Sequence, residues 1–134
     1  MPKINDRFRN FNPYDFEQFI GELYKKRGYQ VEATNYTGDF GADVIVVKDG
    51  IKTVVQVKRY NENNPVGVKD INQVLGAMSY YNADRATVIT TSDFSNPGVE
   101  LSKRTNVELI NWDALVDMIE DSFYQVDDII DNIE

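Results

Sequence analysis

The chain has 134 residues, 42% of them hydrophobic and 27% charged, which fits one soluble globular domain with a core of its own. It contains no cysteine and no histidine, so disulfides, thiolate metal sites, a cysteine nucleophile and imidazole acid–base chemistry are excluded. The formal net charge is −8, yet residues 113–134 hold eight of the 22 acidic residues and no basic one, leaving 14 acidic and 14 basic side chains in the first 112. A neutral body permits a local basic face but does not by itself favour nucleic acid as a partner.

The first ten residues, MPKINDRFRN, carry charges without the apolar stretch of a secretory signal, and the run Val44-Ile45-Val46-Val47 is far too short to cross a bilayer. A cytoplasmic protein is expected. Asn12-Pro13 reads as an N-cap followed by proline at the first helical position. Phe16, Phe19, Ile20, Leu23 and Tyr24 follow at helical spacing, and Gly28 ends the helix. Residues 29–33 read as a short strand and 35–41 as a turn-rich surface loop.

Two β-branched runs then flank Asp49-Gly50, which predicts a hairpin over 43–60. Residues 61–65 form a loop, and Val68, Ile71, Val74, Leu75 and Met78 mark a second amphipathic helix. A strand at 86–91, a short helix at 97–104 and a strand at 107–110 follow. The order α-β-β-β-α-β-α-β-α implies a three-layer α/β domain with a central mixed sheet flanked by helices. Towards the end, Trp112, Val116, Ile119, Phe123, Val126, Ile130 and Ile133 recur at alternating spacings of four and three, a heptad-like stripe with an acidic outer surface. The expected organisation is an irregular N-terminus over 1–12, a domain over 13–121 and an acidic amphipathic helical extension over 122–134. Through Ile119 the stripe packs on its own domain; beyond it, homodimerisation is one reading, opposed by like charge.

Without histidine or cysteine, catalysis must rest on carboxylates, lysine, tyrosine or hydroxyls, and Mg²⁺ or Mn²⁺ is the natural cofactor for that inventory. A two-residue Asp49-Gly50 loop sets Asp43 opposite Gln56. Lys58 follows Gln56 by two and shares its face, which also carries Ile45, Val47 and Val54. A carboxylate, a carbonyl acceptor and an ammonium at the open end of an aliphatic hairpin suit metal-assisted phosphodiester hydrolysis. Asp43 and Gln56 would bind the cation and Lys58 would hold the attacking water or stabilise charge on phosphorus. A second carboxylate is needed. On the first helix Glu17 falls at about 100° from Phe16, at the edge of the apolar arc, whereas Glu22 falls at about 240°, facing solvent. Asp39 reads equally as an outer-shell partner and as an Asx-turn residue. Thr90-Thr91-Ser92 reads either as a phosphate-side loop or as an ordinary strand end.

Gly38-Asp39-Phe40-Gly41-Ala42-Asp43 followed by Gln56-Val57-Lys58 resembles the PD-(D/E)xK nuclease superfamily, in its variant with glutamine for the second acid. The likeness is to the catalytic domain of Mrr-type restriction endonucleases. It extends to Phe16-Glu17 with Gly28-Tyr29, to Leu75-Gly76-Ala77, to the run from Ile89 through Thr90-Thr91-Ser92-Asp93-Phe94 to Ser95, and to Leu109-Ile110-Asn111, covering 14–119. The resemblance implies a restriction-endonuclease-like fold and Mg²⁺-dependent cleavage of duplex or branched DNA. It places Glu17, Asp43, Gln56 and Lys58 in the active site, with Asp43, Gln56 and Glu17 on the metal. Such enzymes usually carry a separate DNA-recognition domain, for which this chain has no room, so a protein partner supplying specificity is one expectation. The rival readings are a non-catalytic nuclease-fold module that binds nucleic acid or protein, and a nuclease acting on RNA.

Overall fold

The computed structural model describes residues 8, 11–32, 42–60 and 63–133, with side chains of the last helix described as far as Ser122. Their elements run α1 (Pro13–Lys26), β1 (Gln30–Glu32), β2 (Val44–Lys48), β3 (Ile51–Lys58), α2 (Val68–Tyr80), β4 (Arg85–Thr90), α3 (Asn96–Thr105), β5 (Glu108–Ile110) and α4 (Trp112–Ile133). This is the order expected from the sequence.

The local signals act as their chemistry dictates. Asn12 Oδ1 accepts the Asp15 amide at 2.7 Å and Pro13 opens the first turn of α1, satisfying a helix N-terminus that would otherwise leave its amides free. Asp49 and Gly50 have positive φ values of 54° and 79°, the conformation that lets a two-residue turn match the twist of its strands. The resulting ladder pairs Lys48 with Ile51 and continues to Val44 with Val55.

One five-stranded sheet, ordered β1-β2-β3-β4-β5, is antiparallel from β1 to β3 and parallel from β3 to β5. The parallel pairs require crossovers, and α2 and α3 supply them. Strand alternation divides the core in two. Val44, Val46, Val55 and Val57 face α1 and α4, joining Phe16, Ile20, Leu23, Leu115 and Ile119. Ile45, Val54, Ala86 and Val88 face the other way, joining Ile71, Val74 and Ala77 of α2. The third layer closes tightly: a Cβ on Gly98 of α3 would lie 3.3 Å from both Ile71 Cδ1 and the Val66 carbonyl oxygen.

Two packing details differ from the sequence expectation. Phe8, upstream of α1, is fully buried, its ring centroid 5.0 Å from those of Phe16 and Phe19 and 6.0 Å from that of Trp112. In α4 the core side is centred on Leu115 and Ile119, both fully buried, with Trp112 and Met118 beside them. Val116, on the expected stripe, is only partly buried. Because α4 packs against β4, β5 and α1 together, its buried arc is broader than a heptad seam. The side chains of Phe123, Val126, Ile130 and Ile133 lie outside the described residues. None of the helices described is long and apolar enough to cross a membrane.

Candidate active site

The hairpin ladder stops at Val44 and Val55. Asp43 donates its amide to the Val55 carbonyl at 2.9 Å, and its Oδ2 accepts the Val57 amide at 2.7 Å. The carboxylate thus takes the place of the next backbone acceptor. Asp43 is therefore not a ladder partner of Gln56, as the simple register predicts; pairing ends one residue earlier because a side chain satisfies Val57. A charged acceptor on a backbone donor is strong and directional, so it pins the carboxylate at the open end of β2.

Glu17 of α1 reaches the same point and shares a hydrogen bond with Asp43. Burial, then the Asp43 charge, push the Glu17 carboxyl up from 4.5 to about 7. Burial also raises Asp43, but the Val57 amide and the Lys58 charge work against that rise. Burial beside Asp43 therefore favours a proton on Glu17 at pH values below about 7. Glu22 faces solvent, as its helical angle predicts, and pairs with Lys25 at 3.1 Å.

Gln56 and Lys58 turn to the opposite side of the sheet and meet α2. Gln56 is 3% exposed, and its Nε2 donates to Gln73 Oε1 at 2.9 Å. Its own Oε1 is buried without a hydrogen-bond partner among the described residues. Lys58 Nζ lies 3.5 Å from Asp70 Oδ1. Asp70, in the first turn of α2, also accepts the Tyr60 hydroxyl and the Gly67 amide, each at 3.4 Å. Asp43 sits where the strand ends, reachable from both layers: Glu17 approaches from the α1 side, while the charge of Lys58 acts on it from the α2 side.

Thr90, Thr91 and Ser92 are buried and point inward. Their hydroxyls donate to the carbonyls of Lys58 at 2.8 Å, Tyr60 at 2.6 Å and Asn64 at 2.9 Å. The phosphate-side reading of this tripeptide therefore fails: the hydroxyls are spent latching the segment that follows Lys58. Asp39 lies outside the described residues. Asp70 and Gln73 are additions to the site that sequence reading missed. The only available signal was their i, i+3 spacing on one side of α2, together with an acid three residues after Gly67.

The arrangement fits a hard divalent cation. Among the described residues no three His, Cys, Asp or Glu side chains are grouped to hold a metal, so the acidic pair needs a further donor. The buried, unpartnered Gln56 oxygen is of the required kind, since carboxylate and amide oxygens suit Mg²⁺ or Mn²⁺. Such an orphaned acceptor is costly unless something binds it.

The family profile Mrr_cat, described as restriction endonuclease, matches residues 8–119. The chain belongs to the Mrr_cat restriction endonuclease family. This Mrr-family chain is 25% identical over 126 residues to the type IV methyl-directed restriction enzyme EcoKMrr of Escherichia coli (strain K12), an alignment covering 87% of this chain and 41% of that protein. It thus spans about two fifths of the length of the curated relative it matches. Among solved structures it resembles the DNA modification-dependent restriction endonuclease AspBHI, with a TM-score of 0.72 and 22% identity over 97% of this chain and 37% of that one. It also resembles MspJI restriction endonuclease in complex with a 27-mer oligonucleotide, with a TM-score of 0.60 and 18% identity over 84% of this chain and 29% of that one. The shared architecture is the restriction-endonuclease-like α/β fold.

Proposed function

We propose that this chain is the cleaving unit of a Mg²⁺-dependent DNA endonuclease that hydrolyses phosphodiester bonds without a covalent enzyme intermediate. The observation that carries the reading is the buried, unpartnered Gln56 oxygen on the strand that also supplies Lys58 and the amide that fixes Asp43. Asp43, Glu17 and Gln56 would hold the cation, which when bound supplies Lewis-acid charge at the scissile phosphate. Glu17 gives up its proton as the pair becomes fully ionised. Lys58 orients the attacking water and stabilises the charge that develops on the phosphoryl oxygens. Asp70 keeps the Lys58 ammonium from swinging into solvent. The buried Thr90, Thr91 and Ser92 hydroxyls fix the backbone on which Lys58 and its following loop are built.

Family membership supports a nuclease, and the chain's likeness to a methyl-directed restriction enzyme and to a DNA modification-dependent restriction endonuclease supports DNA as its substrate. Specificity for a sequence or a modified base belongs in this reading to a further DNA-reading unit or a protein partner, and the working compartment is the cytoplasm. The test is a cleavage panel with Mg²⁺ or Mn²⁺ on methylated, unmethylated, branched and single-stranded DNA and on RNA. Metal-dependent nicking of at least one DNA substrate is expected. Cleavage confined to RNA overturns the choice of substrate, and binding without cleavage of any substrate overturns the enzyme.

A further inference from the structure

A carboxamide has chemically opposite ends. Its oxygen attracts a cation and its NH₂ group repels one, and rotating the amide plane by half a turn exchanges them without changing the shape of the side chain. Bulk solvent does not set the orientation at Gln56, which is 3% exposed. The arbiter must be a neighbouring side chain.

We propose that Gln73 is a positioning residue that fixes the Gln56 carboxamide in the orientation that leaves its oxygen for a divalent cation. This rests on the metal-dependent reading above and names the device that makes a glutamine serviceable there. Gln73 Oε1 accepts a hydrogen bond from Gln56 Nε2 at 2.9 Å, which commits the donor end to α2. Planarity then turns Oε1 away from Gln73, and that atom has no hydrogen-bond partner among the described residues. A carboxylate at position 56 would offer two equivalent oxygens and need no such choice; only an amide requires the helix to select. Gln73 lies three residues from Asp70, so one side of α2 addresses both β3 residues of the site: Gln73 the amide and Asp70 the ammonium.

Gln73 itself is exposed, so replacing it opens no cavity. Methionine keeps its length and helix propensity while removing the acceptor. Partners that orient metal ligands are typically worth about tenfold to a hundredfold in metal affinity. Mn²⁺ binding to the whole chain, read from the spectrum of free Mn²⁺, is compared for wild type, Gln73→Met, Gln56→Glu and the double variant. Gln73→Met weakens Mn²⁺ binding by about tenfold when position 56 is glutamine. In the Gln56→Glu background it changes the affinity little. Gln73→Glu, which retains an acceptor, binds Mn²⁺ at least as well as wild type, and the urea midpoint of Gln73→Met stays close to that of wild type. Wild-type affinity in Gln73→Met, or an equal loss in both backgrounds, overturns the positioning role while leaving the metal-dependent reading standing. A wild-type chain that takes up no Mn²⁺ overturns both.

Discussion

If the Glu17–Asp43 pair holds the proposed cation, their coupled protonation should make metal affinity a function of pH, with a magnitude that can be worked out. With Glu17 pushed up to about 7, simple titration leaves about 0.9 of a proton on it at pH 6 and about 0.1 at pH 8. A cation held by both carboxylates displaces that proton. Apparent Mn²⁺ affinity should therefore rise almost tenfold per pH unit below about 7 and level off above about 8. The metal-free fold shows the same linkage with the opposite sign. Because the folded value lies above 4.5, the stability contributed by the neutral carboxyl is complete below the unfolded value and is lost as pH rises through the folded one. Calorimetric Mn²⁺ titrations in two buffers of different ionisation enthalpy give affinity and protons released together. Close to one proton should leave per cation at pH 6 and almost none at pH 8, and Glu17→Gln should abolish the release. An affinity flat between pH 6 and 8, with no proton released, would refute the coupled pair.

Asp70→Asn keeps an oxygen for the Gly67 amide but removes the charge opposite Lys58. Single-turnover cleavage should fall by roughly tenfold to a hundredfold through misplacement of the ammonium, while urea denaturation registers a loss of about 1–3 kcal/mol, because Asp70 is buried and the Lys58 side chain largely so. Thr91→Val keeps the shape of the side chain but removes the buried donor to the Tyr60 carbonyl. A loss of about 1–3 kcal/mol in urea unfolding is expected, and an unchanged midpoint would mean the latch contributes nothing. Truncation after Ser122 spares Leu115 and Ile119 and removes Phe123, Val126, Ile130 and Ile133. A cooperative urea transition should survive with less self-association in sedimentation, and loss of the transition would place the removed segment in the core.

What was legible in the sequence had a local cause. Asp49-Gly50 fixed the hairpin because both residues tolerate positive φ, and alternation then placed Gln56 and Lys58 on one face without further information. The spacing of Phe16, Phe19, Ile20, Leu23 and Tyr24 set the phase of α1 and so separated Glu17, at the edge of the apolar arc, from Glu22 in solvent. The features that escaped are contacts between distant segments. Asp70 and Gln73 look like solvated helix positions until α2 is laid over β3. The hydroxyls of Thr90, Thr91 and Ser92 look exposed until the chain after Lys58 crosses them. Phe8 stands outside any periodic pattern, and only the assembled aromatic cluster shows why a phenylalanine is buried there. The end of the Asp43 ladder is of the same kind, since a side chain replaces a main-chain acceptor and strand periodicity cannot register it.

The central claim is that Asp43 holds a cation on which cleavage depends, and Asp43→Ala tests it most directly. The variant loses the acceptor of the Val57 amide and, on the proposed reading, a metal ligand and a negative charge near the phosphate path. Purified wild type and variant are given one labelled DNA duplex or junction, first in EDTA and then with Mn²⁺. Both should bind the DNA in EDTA, the variant as tightly as wild type or more so, and only wild type should cut it when Mn²⁺ is added. Cleavage by Asp43→Ala at the wild-type rate would contradict the account.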